Sequence, residues 1–334
     1  MAATDQRQSA DQLLMLMTGA WRTQAIAVAA DLQLADYLAD AMSTMELANR
    51  VGADHDSLLR LLRYLASMGV VRTVVDGFEL TELGQLLRSD VAHSMRSLAS
   101  LYGGPFYKSF AELKRAVRTG QDSFAYVFGK HHFDYFAENP EFKFDEAMAA
   151  SATTFGTVTQ IVDFTRARLV IDVGGGSGEL LRCILEAVPH LRGVLFERSH
   201  VLAAGKANLA DYLDRCDLVA GDFTSGVPVD GDVYLLSRVL HDWDDQQCIE
   251  ILRRCSESMP PEAELLIIER LLPDNHFPSL SVAWDVHMLC NVGGRERTAD
   301  HYQELLDDAG LVVQDVHQLP LEFALLRVAK SPHV

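Results

Sequence analysis

Short apolar runs alternate with amphipathic segments along the second half of the chain. An apolar run of four or five residues predicts a buried strand, and apolar residues that recur every three to four positions predict a helix. The alternation is typical of a parallel, doubly wound sheet, so we expect a Rossmann-like α/β fold. The predicted strands lie at 169–173, 193–196, 218–220, 233–236 and 265–268, with two closing strands at 311–316 and 323–329.

The first of these strands leads directly into a glycine-rich turn. Asp172-Val-Gly-Gly-Gly-Ser-Gly178 is followed at once by an amphipathic helix pattern. Glycine lets the backbone approach a ligand closely, and a helix start leaves unpaired N–H groups facing it. The spacing does not fit the dinucleotide motif G-x-G-x-x-G, because Glu179 occupies the third glycine position. A nucleotide site or a plain tight turn therefore stays open, but an NAD-dependent dehydrogenase is disfavoured.

The N-terminal hundred residues carry a different pattern. Apolar residues recur at helical spacing over 11–38, and this excess of apolar surface indicates a subunit interface in preference to ordinary core packing. Two further helices are predicted at 43–52 and 54–69, followed by a hairpin closed by Asp76-Gly77. A helix-turn-helix with a hairpin is a winged helix, which we expect to serve assembly as a dimerisation domain over residues 1–100.

The segment 101–165 is predicted to be helical and is rich in aromatic residues. Aromatic walls suit a flat, apolar ligand, so we expect this segment to be a linker that lines a substrate pocket. Residues 166–334 would then form the catalytic domain. Contacts with substrate are expected from three rings and one thioether of the linker: Tyr102, Phe106, Phe128 and Met148.

Charge and cysteine content narrow the functional classes. The formal net charge is −18, and residues 1–100 hold eight basic and twelve acidic side chains. Nucleic acids and anionic membranes require a basic face, so a DNA-binding winged helix and a membrane-surface protein are both disfavoured. The five cysteines include no C-x-x-C pair, no signal peptide is recognisable, and no unbroken apolar run reaches membrane-spanning length. We therefore expect a cytoplasmic location.

Two further motifs complete a family pattern. Leu240-His-Asp-Trp243 follows the fourth strand, and Gly293-Gly-Arg-Glu-Arg-Thr298 follows a predicted helix at 280–290. Together with the glycine loop, they resemble the S-adenosylmethionine (SAM) dependent class I O-methyltransferases, which include caffeate and acetylserotonin enzymes. The resemblance runs from the N-terminal winged helix to the C-terminus. Among bacterial members, the runs 173–180, 233–238 and 284–287 look most like phenazine-modifying methyltransferases of antibiotic pathways.

The resemblance implies a set of site residues. The catalytic base falls on His241, which Glu269 and Glu296 would orient. A cluster with convincing metal spacing is not evident, so we predict no metal. Two departures from the family pattern occur: Glu197 stands where aspartate is usual, and Arg198-Ser-His200 replaces Leu-Pro-His. SAM contacts fall on Gly174, Glu197, Asp222, Phe223, Ser237 and Trp243, and further substrate contacts on Trp284, Met288 and Asn291.

The presence of His241 bears on which atom accepts the methyl group. A phenol titrates near pH 10 and must lose its proton, and a histidine of pKa near 6.5 is a suitable base. A ring nitrogen already has a lone pair and needs no base. The sequence therefore favours O-methylation of a planar aromatic hydroxyl, with a hydroxyphenazine as the leading substrate and S-adenosylhomocysteine (SAH) as the by-product. N-methylation of a phenazine, or O-methylation of another polycyclic phenol, is the alternative. We also expect a homodimer in which Trp21 reaches the partner's pocket.

Overall fold

The computed structural model describes residues 3–274 and 278–332. The first 110 residues are mainly helical, with one hairpin. They form helices α1 Ala3–Met17, α2 Gly19–Asp31, α3 Leu34–Tyr37, α4 Thr44–Val51 and α5 His55–Ser67, strands β1 Val71–Val74 and β2 Gly77–Leu80, and helices α6 Glu82–Gln85, α7 Arg96–Gly103 and α8 Pro105–Phe110.

The aromatic-rich segment that follows is helical, as predicted, but consists of short pieces. Glycines end two of them, since Gly120 and Gly129 adopt positive φ at the helix C-termini. Its elements are α9 Leu113–Thr119, α10 Phe124–Phe128, α11 His132–Glu138, a 3-10 turn Pro140–Phe142, α12 Phe144–Ala149, a 3-10 segment Ala150–Thr157 and α13 Val158–Ile161.

Strands and helices alternate over the remaining chain, which confirms the predicted α/β class. Short 3-10 turns occur at Ala210–Tyr212, Leu240–Asp242 and Pro320–Glu322. The regular elements are β3 Leu169–Val173, α14 Glu179–Ala187, β4 Arg192–Glu197, α15 Leu202–Asn208, β5 Cys216–Ala220, β6 Val233–Ser237, α16 Asp245–Ser258, β7 Glu264–Arg270, α17 Leu280–Asn291, α18 Ala299–Asp307, β8 Leu311–Gln318 and β9 Phe323–Lys330.

One seven-stranded sheet organises this part, in the order β5-β4-β3-β6-β7-β9-β8. The first five strands along the chain pair in parallel, whereas β9 runs antiparallel to both β7 and β8. The chain leaves β3 toward β4 on one side and later returns to β6 on the other, so the strand order reverses between β3 and β6. In open α/β sheets, ligands bind at such a reversal, outside the carboxyl ends of the strands.

The sheet is covered on both faces by apolar side chains, and its central strand β3 is apolar at every position but one. Side chains alternate along β3, so that Ile171 and Val173 join one core and Val170 joins the other. The exception is Asp172, an acid that is 1% exposed in the middle of this strand. Two apolar layers of this kind fix the carboxyl ends of β3, β4, β6 and β7, where the predicted site residues lie.

The winged helix also forms as predicted. The Ser43 side chain accepts the amide of Glu46 at the start of α4, Asp54 caps α5 in the same way, and Gly52 ends α4 at φ 66°. Strands β1 and β2 pair antiparallel, and the helices and hairpin share one core. These helix caps and the hairpin turn are local signals, so the sequence alone is enough to predict the winged helix.

The chain divides into two compact units. One comprises 1–108 and 139–150, and the other comprises 109–138 and 151–334. The aromatic-rich segment 101–165 thus contributes residues to both units. The functional division at residues 100 and 165 stays a proposal.

The N-terminal helices expose an unusual amount of apolar surface. Helical residues Gln8–Asp31 are long and apolar enough by composition to cross a membrane, and 22% of that window is buried. The expectation concerned unbroken apolar runs, whereas this helix passes a test of mean hydropathy, which alanines raise without making such a run. Core and interface helices can pass the same test of length and composition. The large exposed apolar side chains here are Leu13, Leu14, Met15, Leu16, Met17, Trp21 and Val28.

Candidate active site

His241 lies in the 3-10 turn Leu240–Asp242, just beyond the carboxyl end of β6. Its side chain is buried, and Nδ1 is 3.1 Å from Glu296 Oε1 and 3.4 Å from Glu269 Oε2. Glu269 stands near the end of β7, whereas Glu296 comes from the loop before α18. The structure therefore brings together the three residues for which the sequence predicts catalytic roles.

Glu269 holds the turn as well as the imidazole. Its Oε1 accepts hydrogen bonds from the amides of Val239 and Leu240, at 2.9 and 2.8 Å. Its other oxygen faces His241. One buried carboxylate thus binds the backbone before the histidine and the ring itself, which restricts both the position and the rotation of the imidazole.

The charges of the cluster are strongly coupled. Burial alone would lower the pKa of His241, but the carboxylates of Glu269 and Glu296 outweigh burial and raise this pKa to about 10. Burial raises the pKa of Glu269 to about 7, although the positive imidazole opposes it. An imidazolium paired with two acids is therefore the favoured state at neutral pH when no positively charged ligand is bound.

These same three residues form a possible metal-ligand set. One nitrogen and two carboxylate oxygens lie within 4.8 Å of one another. However, Nδ1 is engaged with Glu296, and Glu269 Oε1 is engaged with two amides. The metal-free mechanism stays a prediction. Turnover is expected to survive exhaustive treatment with a chelator, measured as methylated product per enzyme, and a loss that added Zn²⁺ or Mg²⁺ restores would contradict it.

The glycine loop after β3 is tied to the end of β4. Gly174, Gly176 and Gly178 all adopt positive φ, a conformation that side chains disfavour. The amide of Gly176 donates to Glu197 Oε2 at 3.1 Å. The acid that is predicted to bind ribose therefore also fixes the loop that is predicted to wrap the cofactor.

The residues predicted to bind adenine lie next to this loop. The rings of Phe223 and Trp243 meet edge to face, with centroids 5.8 Å apart. A side chain at Gly174 would approach the Phe223 ring at 3.3 Å. Asp222 Oδ1 accepts from the amide and the hydroxyl of Thr224, which fixes its carboxylate after β5. Gly174, Phe223 and Trp243 are thus brought together beside the carboxyl ends of β3 and β6.

Buried polar atoms indicate that this region fits a polar ligand such as SAM. Within residues 3–274 and 278–332, the Ser237 hydroxyl and both Asp172 carboxylate oxygens are buried without a hydrogen-bond partner. Gly175 lies directly against Asp172, because a Cβ there would be 2.3 Å from Oδ2. Buried polar groups normally have partners, and a cofactor with ammonium and hydroxyl groups would supply them. Ser237 and Asp172 would hold it together with Gly174 and Glu197.

Asp172 should make stability depend on pH. Burial, reinforced by the Glu197 carboxylate, raises the pKa of Asp172 from 3.8 to about 7. The folded state then binds the proton more tightly, so this residue's contribution to the unfolding free energy falls as pH rises from about 4 to about 7. We expect Asp172→Asn to gain stability over the wild type along that interval, in chemical denaturation at pH 5 and pH 8. Asp217→Asn, at an exposed position of β5, is the control. If the difference in unfolding free energy between Asp172→Asn and the wild type were the same at both pH values, the expectation would be contradicted.

One predicted substrate contact on α17, Asn291, belongs to a buried hydrogen-bonded network. The Asn291 amide donates to both the backbone carbonyl and Nδ1 of His287, and Asn291 Oδ1 accepts from the Ser109 hydroxyl. Since a carbonyl only accepts, this arrangement fixes the amide orientation. Burial lowers the pKa of His287 to about 3, so the ring is neutral. Because Nδ1 accepts from the Asn291 amide, the ring proton lies on Nε2. Trp284 packs near this ring, and Met288 is 2% exposed on the same helix.

Phe128 lies at the end of α10 in a cluster of rings. Its centroid is 4.5 Å from that of Phe124 and 4.6 Å from that of Tyr135. The amide of Ser123 donates to the carbonyl of Cys290 at 2.8 Å, which links the start of α10 to the end of α17. The unit that contains His241 therefore places Phe128 on a segment joined to the helix of Trp284 and Asn291.

Three predicted substrate contacts belong to the N-terminal unit. The rings of Tyr102 and Phe106 lie 5.7 Å apart, and Phe106 is buried. Met148 stands in α12 of the same unit. Their role toward substrate stays a prediction.

The sequence interpretation missed three residues of this region. Asp172 begins the glycine motif without a predicted cofactor contact, although a single acid within an apolar strand is a signal for one. His287 carries no predicted role in the sequence. Arg297 stands in the Gly293–Thr298 motif and was given no role, yet it is completely buried.

Comparisons with known proteins show the family of the chain. A family model described as the O-methyltransferase domain matches residues 110–312, and an O-methyltransferase dimerisation domain matches residues 14–90. The solved structure of LaPhzM superposes with a TM-score of 0.90 at 41% identity, covering 96% of this chain and 99% of that one.

Relatives act on several acceptors. A 3-amino-4-hydroxybenzoate 4-O-methyltransferase of Streptomyces cremeus is 43% identical over 94% of this chain and 88% of its own length. A phenazine O-methyltransferase of Lysobacter antibioticus is 42% identical, over 96% and 95%. A phenazine-1-carboxylate N-methyltransferase of Pseudomonas aeruginosa is 34% identical, over 97% and 98%. The chain belongs to the SAM-dependent O-methyltransferase family, whose members methylate aromatic natural products.

Proposed function

We propose that this enzyme transfers the methyl group of SAM to a hydroxyl of a planar aromatic, most directly a hydroxyphenazine, with His241 as the general base. The observation that carries the proposal is the pairing of His241 Nδ1 with Glu296 and Glu269. This pairing favours a proton on Nδ1 when the ring is neutral, so Nε2, which lies 3.6 Å from Asp242 Oδ1, is the nitrogen that accepts the substrate proton.

The chemistry needs few groups from the protein. When bound, SAM supplies an activated methyl on a sulfonium and leaves as SAH. His241 removes the phenolic proton as the oxygen–carbon bond forms, and Glu269 and Glu296 stabilise the resulting imidazolium. Gly174, Glu197 and Ser237 would hold the cofactor, and the buried surroundings would exclude water. The remaining task of the fold is alignment of the hydroxyl with the methyl group.

Two observations support a phenazine as the acceptor. The phenazine O-methyltransferase named above shares 42% identity over almost the whole chain. In addition, α17 carries Trp284 beside the neutral His287, a flat ring next to a fixed hydrogen-bonding group. The aminohydroxybenzoate relative favours a smaller phenol as the main alternative acceptor.

N-methylation is the second candidate, because one relative is a phenazine-1-carboxylate N-methyltransferase. A ring nitrogen needs no base. The buried triad of His241, Glu269 and Glu296 therefore favours oxygen as the methyl acceptor. A buried cluster of three coupled charges that took no part in catalysis would only lower the stability of the fold.

Mass spectrometry of products tests the acceptor class. The enzyme and SAM are incubated with hydroxyphenazines, a hydroxyl-free phenazine carboxylic acid, flavonoids and simple catechols. We expect methyl ethers from the hydroxyphenazines. An N-methylated product from the hydroxyl-free acid, which its fixed positive charge distinguishes from a methyl ester, would show nitrogen transfer. Methylation of only catechols or flavonoids would overturn the phenazine assignment.

The pH dependence of kcat should report the base. Only the neutral imidazole accepts a proton, so kcat rises with pH as His241 deprotonates. The positive charge of the bound cofactor lowers the pKa of His241 from the value of about 10 that its carboxylates impose, toward the ordinary 6.5. We expect an acid limb with its midpoint between these values in single-turnover rates. A flat profile across that range would contradict the proposed role.

We also propose that the enzyme is a homodimer through its N-terminal helices. Leu16 is 77% exposed and Trp21 64% exposed in the chain described. Both side chains lie within residues 14–90, which the dimerisation domain matches. Light scattering should give twice the chain mass, and Trp21 is proposed to reach the partner's pocket.

A further inference from the structure

The turn that carries His241 is too short to position itself. The 3-10 turn Leu240–Asp242 has three residues and makes few bonds of its own. The carbonyls of Leu240 and Trp243, on either side of the histidine, both accept from the nearby Cys248 thiol and from one side chain of a more distant part of the chain.

That side chain is Arg297, which is completely buried. Its Nη1 donates to the Leu240 carbonyl at 3.0 Å, and its Nη2 donates to the Trp243 carbonyl at 2.8 Å. Nε and Nη2 also bind Asp245 Oδ1, at 2.9 and 2.8 Å. The planar guanidinium therefore joins the backbone before His241, the backbone after it and the first residue of α16. A lysine could not reach these three partners at once.

The residues just before Arg297 bind the same turn. The amide of Arg295 donates to the His241 carbonyl at 2.9 Å, and the Glu296 carboxylate binds His241 Nδ1. The Arg297 carbonyl in turn accepts the amide of Leu272, beyond the end of β7. Three consecutive residues thus fix the backbone and the ring of His241 relative to the sheet.

We propose that Arg297 is a positioning residue for the methyl transfer, which acts by fixing His241 between its two carboxylates. The proposal rests on the proposed function of His241 as base. Arg297 does not lie among the residues predicted to touch substrate, so its loss should change the rate of proton removal more than the binding of acceptor.

The first test is Arg297→Met, with Arg297→Lys beside it. We expect both to lower kcat, by ~10- to 100-fold for methionine, because a displacement of about 1 Å at a reacting group can cost a factor of this size. The acceptor KM should change less than ~3-fold. Arg253→Met is the control, because Arg253 also binds a backbone carbonyl, that of Asp308, in the same unit. An unchanged kcat in both Arg297 variants, or a loss confined to KM, would overturn the proposal.

The second test separates positioning from general structural support. Arg297→Met is combined with His241→Asn. If Arg297 acts through His241, the Arg297→Met substitution lowers kcat much less in the His241→Asn background than in the wild type. An equal factor in both backgrounds would overturn the positioning role while leaving His241 as base. A His241→Asn enzyme with full turnover would instead overturn the proposed function.

A milder variant applies if Arg297→Met does not fold. Asp245 is partly exposed and shares the guanidinium, so Asp245→Asn loosens Arg297 without removing it. A several-fold fall in kcat with near-normal KM supports the proposal. Normal kcat in both Asp245→Asn and Arg297→Lys contradicts it.

Discussion

His241→Asn is expected to lower kcat by about 10²- to 10⁴-fold, the usual contribution of a general base. Asparagine keeps a polar side chain of similar reach, so the buried carboxylates retain a donor, but it has no nitrogen that can accept the phenolic proton. The rate is measured with saturating SAM and a hydroxyphenazine. SAM binding, measured by calorimetry, should stay within about threefold, because the predicted cofactor contacts lie on other residues.

A matched control is available for this variant. His190 lies in the same unit, and its Nε2 is 3.2 Å from the Ala167 carbonyl, remote in sequence from the triad. His190→Asn should leave kcat unchanged. If His241→Asn also kept kcat within about threefold of the wild type, His241 could not be the base.

Gly294→Ala is expected to be the most damaging change in the Gly293–Thr298 motif. A Cβ at Gly294 would lie 1.9 Å from the His241 carbonyl oxygen and 2.8 Å from the Asp242 carbonyl carbon. These are backbone atoms, so the overlap can be relieved only if the histidine turn moves. We expect a loss of ~3 kcal/mol in unfolding free energy and a fall of about 10²-fold in kcat.

Thermal unfolding and single-turnover rates measure these two effects. Gly156→Ala is the control, because a Cβ at Gly156 would meet no atom within 4 Å and its φ is not in the left-handed region. A Gly294→Ala enzyme with normal Tm and normal kcat would show that the turn does not depend on this close approach.

Much of the fold follows from local pattern. The strands at 169–173 and 233–237 form where branched apolar runs meet polar or glycine residues, and the helix predicted at 280–290 extends over Leu280–Asn291. Buried parallel strands have a strong local signal because they are apolar on both faces. The direction of β8 and β9 had no such signal, since pairing depends on which strand lies beside them.

The triad was predictable for a different reason. His241, Glu269 and Glu296 each follow a strand or stand in a recognisable motif, so the family resemblance could assign them by residue. Arg297 and Asp172 carried no such assignment. The importance of Arg297 lies in bonds to carbonyls more than fifty residues away, and that of Asp172 lies in the lack of a partner among the described residues. Neither feature is expressed in sequence spacing.

The aromatic segment shows the limit of composition as evidence. Its richness in rings predicts apolar packing, but not which rings face a ligand. Phe124 is fully buried, whereas Tyr126, two residues later, is 62% exposed and stacks on Arg115. Tyr102 and Phe106 fall in one unit and Phe128 in the other. Short helices of five to seven residues lack the length from which a buried face can be read.

The position of the transferred methyl group tests the account most directly. The enzyme is supplied with SAM labelled with ¹³C in the methyl group and with a hydroxyphenazine, and the product is examined by NMR. The account predicts one labelled methyl group that correlates with the hydroxyl-bearing carbon, as in a methyl ether. A labelled methyl group that correlates with the carbons beside a ring nitrogen would show transfer to nitrogen and would contradict the role assigned to His241.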